Sequence, residues 1–137
     1  PGHEDRAAWL NWLHFAETVA VHGATLTQQH IVIRDDADRS PLIMKLEALR
    51  LAKALSVIER GLEGRPYLLP GGFSAVDTAI GYSVWIARHL VDLAAFPNLS
   101  GYLERISGRK AFRAALPPEG SALIYTRPFY AVPEPSA

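Results

Sequence analysis

The sequence predicts an all-α fold, a helical bundle of about five to six helices, and three observations carry that prediction. Met44, Ala48, Leu51, Leu55, Ile58 and Leu62 recur at alternating steps of four and three, the stripe of an amphipathic helix. Ser74 followed three residues later by Asp77 is a capping box, set between the Pro70-Gly71-Gly72 turn and a long apolar run from Thr78 to Leu93. No segment shows the strict alternation of a half-buried strand, and no internal repeat is visible.

The elements follow in order. From about Glu4 to His22, Trp9, Trp12, Leu13, Ala16 and Ala20 keep helical spacing, with acidic residues at the positive end of the dipole. Gly23 is expected to interrupt this helix, leaving a weaker second piece over Ala24 to Arg34. Asp35 to Arg39 is a polar loop, and Ser40-Pro41 reads as an N-cap with proline at the first helical position. That second long helix ends near Gly61 and Gly64, before an extended stretch from Arg65 to Leu69. The Ser74 helix carries apolar groups on more than one face, so other helices should surround it. Asn98 is placed as the cap of the next helix, which uses Leu99, Tyr102, Leu103 and Ile106 and ends at Gly108. A last short helix covers Lys110 to Leu116, so residues 1–116 are the helical domain and 117–137 a proline-rich tail.

Composition excludes several function classes. The 137 residues suit one domain with its own core, and 49% are apolar, which argues against disorder. There is no cysteine, hence no disulfide, thiolate metal site or cysteine nucleophile in this chain. Fourteen basic residues balance fourteen acidic ones, so no basic field draws nucleic acid or anionic membrane. No run is long enough to span a bilayer, and the charged start is not a signal peptide. The five histidines form no HxxxH or HExxH pair, so no metal site is expected. Asn98-Leu99-Ser100 matches a glycosylation sequon, read here as chance.

With these elements in order, three segments carry a resemblance: Arg6 to Thr18 (RAAWLNWLHFAET), Gly64 to Asp77 (GRPYLLPGGFSAVD) and Phe96 to Ala111 (FPNLSGYLERISGRKA). The tail from Ile124 to Tyr130 adds a fourth. The chain resembles the C-terminal helical domain of cytosolic glutathione S-transferases of bacterial type. Two departures stand out. Thr78 faces Phe73 where the family often has an apolar staple, and Arg109-Lys110-Ala111 replaces the usual arginine-proline-alanine. Neither threatens the fold.

The resemblance implies that a thioredoxin-like domain, lacking here, precedes this one and supplies most of the glutathione site and the thiol-activating residue. The chain is then expected to be the helical half of a cytoplasmic, dimeric detoxifying enzyme and to be inactive alone. Its partners would be that domain, a second copy, glutathione as co-substrate and a small hydrophobic electrophile. A non-catalytic interaction module with the same helical fold is the rival reading. By the same resemblance the first helix lines the interdomain cleft, with His14 near the charged end of glutathione and Phe15, Thr18 and His22 bordering the electrophile pocket.

Trp9 and Trp12 are read as core packing rather than substrate stacking, since they share the stripe of Leu13 and Ala16. A Ser74–Asp77–His89 triad is excluded by distance: twelve residues of helix separate Asp77 from His89, about 18 Å. Ser74 and Asp77 are therefore assigned a structural role. Tyr125, Phe129 and Tyr130 either fold over a substrate mouth or pack on the outside of the bundle.

Overall fold

The structure is a computed structural model that describes residues 4–133. Five α-helices appear among them, α1 (Arg6–Thr27), α2 (Pro41–Gly61), α3 (Ala75–Ala87), α4 (Pro97–Ser107) and α5 (Lys110–Ala115), and no strand. Helix α1 packs against both α2 and α3, while α4 closes the bundle against α2 and α3. The core runs through all four, with Val19, Leu26, Met44, Leu51, Leu55, Ile58, Val76, Ile80, Val84, Leu99 and Tyr102 almost wholly removed from water. A fully buried Leu, Ile or Val side chain contributes roughly 1.5–3 kcal/mol, so this stripe-on-stripe burial is the main source of stability.

Gly23 does not interrupt α1, contrary to expectation: the helix is continuous to Thr27. A helical glycine costs about 1 kcal/mol relative to alanine, too little to break a helix packed against two others. Gly23 is itself buried, and the Thr27 hydroxyl donates to its carbonyl oxygen at 2.8 Å. A single π-helical turn, Gln28–Val32, then carries the chain out of α1.

Helix α2 starts as the Ser40-Pro41 signal predicts, with the Ser40 hydroxyl accepting the Ile43 N–H at 3.3 Å. Helix α3 ends six residues before the apolar run does, at Ala87 rather than Leu93. Nothing in 88–93 is a helix breaker by composition; the competing local structures decide. Leu90 and Val91 both turn back onto the Ala87 carbonyl, at 2.9 Å each, and Leu90 is buried. Asp92 then caps a separate short turn, Leu93–Ala95, by accepting the Ala94 N–H at 2.9 Å.

Asn98 is not the cap of α4. The helix begins two residues earlier than that cap implies, at Pro97, with Phe96 at the N-cap and no capping side chain of its own. Glu59 of α2 takes over: its carboxylate accepts the Asn98 N–H at 3.1 Å, the Asn98 side-chain amide at 2.8 Å and the Leu99 N–H at 2.8 Å. An anion at the positive end of the dipole is held there by another helix.

Gly81 allows α3 and α4 to approach. A Cβ at this position would lie 2.3 Å from Cδ1 of Ile106. Gly61 plays the same part between α2 and α1, where a Cβ would meet the Trp12 ring at 2.6 Å. Trp12 and Trp9 are both partly buried against the core.

Candidate functional site

The sequence points to the face of α1 that carries His14, Phe15, Thr18 and His22. Helical geometry spreads the four over an arc of about 100°, from solvent to the edge that meets α2. His14 and Thr18 are exposed and lie on the outer side. Phe15 is half-buried, its ring edge-on to Trp12 with centroids 5.8 Å apart. His22 turns to α2, where its Nδ1 donates to Glu47 Oε2 at 2.7 Å. Glu47 also binds Arg50, one turn further along α2. Burial pushes the Glu47 carboxyl up, but the hydrogen bonds and charges of His22 and Arg50 outweigh it and hold the group below the usual carboxylate range. The α1 face thus has a free outer strip, His14 and Thr18, and an inner strip whose polar group is committed to holding two helices together.

Asp77 is buried at the start of α3 and Ser74 half-buried beside it. The Ser74 N–H donates to Asp77 Oδ2 at 2.8 Å, and the Ser74 hydroxyl accepts the Val76 N–H at 3.2 Å, with both halves of the reciprocal box present. Asp77 is only 1% exposed and does more than cap. Its Oδ1 also accepts the Leu68 N–H at 3.3 Å and the Tyr102 hydroxyl at 3.2 Å. The capping carboxylate therefore ties the loop before α3 and the middle of α4 to one point. Burial, then the adjacent Asp77 charge, pushes the Tyr102 phenol up, so it keeps the proton that it donates here. The missing staple has a substitute: Phe73 stacks edge-on to Tyr67, with centroids 5.6 Å apart, and the Arg109 guanidinium lies 3.5 Å over its ring.

A large hollow lies elsewhere. A cavity of about 820 Å³ opens between the outer face of α3, α5 and the tail, and none of His14, Phe15, Thr18 or His22 lines it. Its floor is Trp85, edge-on to Phe112 at 5.0 Å, with the Arg88 guanidinium 3.2 Å above the indole. Leu123 and Ile124 of the tail form the far wall.

The tail is fastened by two tyrosines. Tyr125 stacks on His89 at 4.9 Å and 9°, and its hydroxyl lies 2.6 Å from that of Thr27. His89 Nδ1 faces the carbonyl oxygens of Arg127 and Pro128 at 3.0 and 3.1 Å, so this nitrogen carries the proton and donates to both. Tyr130 is buried, its N–H donates to the His89 carbonyl at 2.8 Å, and its hydroxyl accepts the Thr126 N–H at 3.0 Å. Phe129 stays exposed. The tail is thus packed on the bundle and forms a wall of the groove.

Sequence reasoning missed Arg88, Arg109 and the groove they border. One signal was present: Trp85 and Arg88 are three apart, the spacing that puts a cation on the same helix face as a ring. The wall formed by residues 122–128 had no such local mark. Among the described residues no group of three or more His, Asp or Glu side chains is arranged to hold a metal ion, and no helix is long and apolar enough to cross a membrane.

Residues 46–105, from α2 to α4, match the family described as glutathione S-transferase, C-terminal domain. The fold is similar to that of BphK, a bacterial glutathione S-transferase solved as a ternary complex (TM-score 0.72, 23% identity over 84% of this chain and 55% of that one). It is also similar to a glutathione S-transferase from Actinobacillus pleuropneumoniae (TM-score 0.68, 19% identity, 84% and 52% covered). Glutathione S-transferase III in its apo form gives a TM-score of 0.68 at 23% identity, with 86% and 59% covered. The chain spans a little over half the length of these structures. None of the curated proteins matches it. The matched segment contains the α3 capping box, the Glu59 cap and the Asp77–Tyr102 tie, so the part of the chain that is similar to a glutathione S-transferase C-terminal domain is the part that these contacts hold together.

Proposed function

We propose that this chain is the helical, electrophile-site and dimer-contributing half of a cytoplasmic glutathione transferase with a detoxifying role. The observation that carries the reading is the family match over residues 46–105, which spans the helices that position α1. In the intact protein, a thioredoxin-like domain binds glutathione and holds its sulfur as thiolate. The thiolate then forms a bond to an electrophilic carbon of a small hydrophobic substrate, and the leaving group departs with the displaced electron pair. The helical half contributes placement and exclusion of water rather than thiol activation.

On this reading the outer strip of α1 faces the cleft. His14 meets the charged end of glutathione, Thr18 and Phe15 border the electrophile, and His22 acts through its bond to Glu47, which fixes α1 against α2. The homodimer has a candidate surface in the exposed apolar side chains of α2, Leu42, Leu46 and Leu49, which recur at helical spacing. The same stripe favours the rival reading, a non-catalytic interaction module that uses α2 to bind another protein.

The test joins this chain to the thioredoxin-like segment encoded upstream and measures conjugation of glutathione to a chlorodinitrobenzene. The chain alone is expected to give no rate above the uncatalysed one, and the joined protein to turn over. His14→Ala should then raise KM for glutathione, and Thr18→Ala KM for the electrophile. An upstream sequence with no thioredoxin-like segment, or a joined protein with no turnover, favours the interaction module. Turnover by the chain alone overturns the assignment of thiol activation to the other domain.

A further inference from the structure

His30 occupies a place where the packing of α1 calls for an apolar side chain. Ala16, Val19, Gly23 and Leu26 are the buried residues of α1, set at alternating steps of three and four. The next step of four lands on His30, inside the π-helical turn Gln28–Val32. The Ile33 N–H closes that turn on the Gln28 carbonyl at 2.9 Å. A titratable ring thus ends an apolar stripe, and it does so where Tyr125 and Tyr130 of the tail meet the end of α1.

The Nε2 of His30 is enclosed and has no hydrogen-bond partner, the one such buried side-chain nitrogen or oxygen among the described residues. Neutral imidazole can leave this nitrogen as a bare lone pair, whereas imidazolium must place an N–H there. The ring lies against that of Tyr130, with centroids 5.7 Å apart and planes tilted by 53°. Tyr130 is the buried anchor of the tail. Its N–H donates to the His89 carbonyl, and its hydroxyl accepts the Thr126 and Arg127 N–H groups at 3.0 and 3.3 Å.

The surroundings disfavour a proton on His30. From the loop after the turn, the Arg39 charge bears on it. That guanidinium is pinned to the Ile33 carbonyl through Nε and Nη2, at 3.1 and 2.9 Å, and paired with Asp36. From the tail come Tyr130, Tyr125 with its ring 6.4 Å beyond, and Arg127, whose guanidinium lies 5.8 Å from the centre of the Tyr130 ring. None of the ion pairs found among the described residues includes His30. Burial, then the Arg39 charge, holds the imidazole below the usual histidine range. A tilted ring contact returns only part of what a buried charge loses on leaving water. The packed tail therefore binds this proton less well than the released one does. Its advantage is complete above the ordinary histidine value of about 6.5 and is lost as the pH falls below it.

We propose that His30 is a proton-sensitive latch for the tail: as neutral imidazole it seats Tyr130 at the end of α1, and on protonation it lets residues 125–130 come away while the helices stay folded. His89 does not act in this way. Its Nδ1–H donates to the Arg127 and Pro128 carbonyls in the charged form as in the neutral one. The latch belongs to the chain itself and does not rest on the transferase reading. Its test reads opening of the tail rather than turnover, so the two fail separately.

The experiment follows amide protection factors and the titration of the histidine ring protons by NMR on the 137-residue chain, between about pH 7.5 and about pH 5. Protection factors divide out the intrinsic pH dependence of exchange. The Tyr130 factor is expected to fall about fivefold or more in acid, in step with the His30 ring, while those of Ile80 and Val84 change by less than about twofold. His30→Leu continues the apolar stripe without a titrating group and should hold the Tyr130 factor within about twofold over the same range. His30→Gln, uncharged throughout, should give the same flat profile and covers the case in which His30→Leu fails to fold. An unchanged Tyr130 factor in the native chain, the same fall in either variant, or a parallel loss at Ile80 and Val84 would overturn the proposal. So would a His30 ring that titrates at or above about 6.5.

Discussion

The two ends of α3 are built on opposite principles. At the N-terminal end, Asp77 is enclosed, and its carboxylate gathers donors from the helix cap, from the Leu68 loop and from α4. At the C-terminal end, Arg88 and His89 are half-open and face a wall contributed by the tail, nearly forty residues further along the chain. The first end is completed by hydrogen bonds within the fold. The second has an unpaired cation, an apolar hollow and a wall held by two tyrosines. One end of a single helix thus gathers the core, and the other holds the tail. A local motif with tight spacing is a better guide to the first kind of end than to the second.

The largest effect should come from the enclosed end. Asp77→Ala removes the acceptor of the half-buried Ser74 N–H, of the buried Leu68 N–H and of the buried Tyr102 hydroxyl. Leaving the Leu68 N–H unpaired, the Tyr102 hydroxyl with only the Asp77 backbone carbonyl, and the helix without its cap should together cost about 3 kcal/mol in urea unfolding. Ser74→Ala removes one capping bond and should cost about 0.5–2 kcal/mol. Because both residues act on the same helix start, the double variant should depart from the sum of the two. An Asp77→Ala cost no larger than that of Ser74→Ala would show that the carboxylate is only a cap, and the contrast between the two ends would weaken.

How much of this was legible depends on the range of the interaction. The Ser74–Asp77 box, the Ser40-Pro41 start and the Met44–Leu62 stripe are local, and residues three or four apart specify them. The cap of α4 was misplaced because its acceptor, Glu59, lies on a different helix 39 residues away from Asn98. The early end of α3 was missed because Leu90 buries itself by turning back, while its apolar character also fits a continuing helix. Gly23 was overweighted, since about 1 kcal/mol of propensity is small beside packing on two faces. The groove was invisible because its wall is brought in by long-range contacts of Tyr125 and Tyr130. The Glu59 contact offers a sharper test of local against distant caps. Glu59→Ala should destabilise the fold by about 1–2 kcal/mol, as a conventional N-cap loss does, while Glu59→Gln should recover part of it by keeping one acceptor oxygen. A near-zero effect of Glu59→Ala would mean that water replaces the distant cap at no cost.

The smallest global effect is expected at the open end. His89→Ala removes the Nδ1–H that donates to the Arg127 and Pro128 carbonyls and the ring that stacks on Tyr125. The backbone bond from Tyr130 N–H to the His89 carbonyl remains, as do the burial of Tyr130 and the Tyr125–Thr27 contact. The tail should therefore loosen without unfolding the bundle. Global stability should fall by less than about 1 kcal/mol, because no core side chain loses its contacts. The readout that separates the two ends is hydrogen exchange, since local opening has its own free energy below the global one. The Tyr130 amide should exchange about tenfold faster in His89→Ala, while amides in the middle of α3, such as those of Ile80 and Val84, should keep their protection. If both sets accelerate together, the tail belongs to the same cooperative unit as the core. The open end of α3 would then be as structural as the enclosed one.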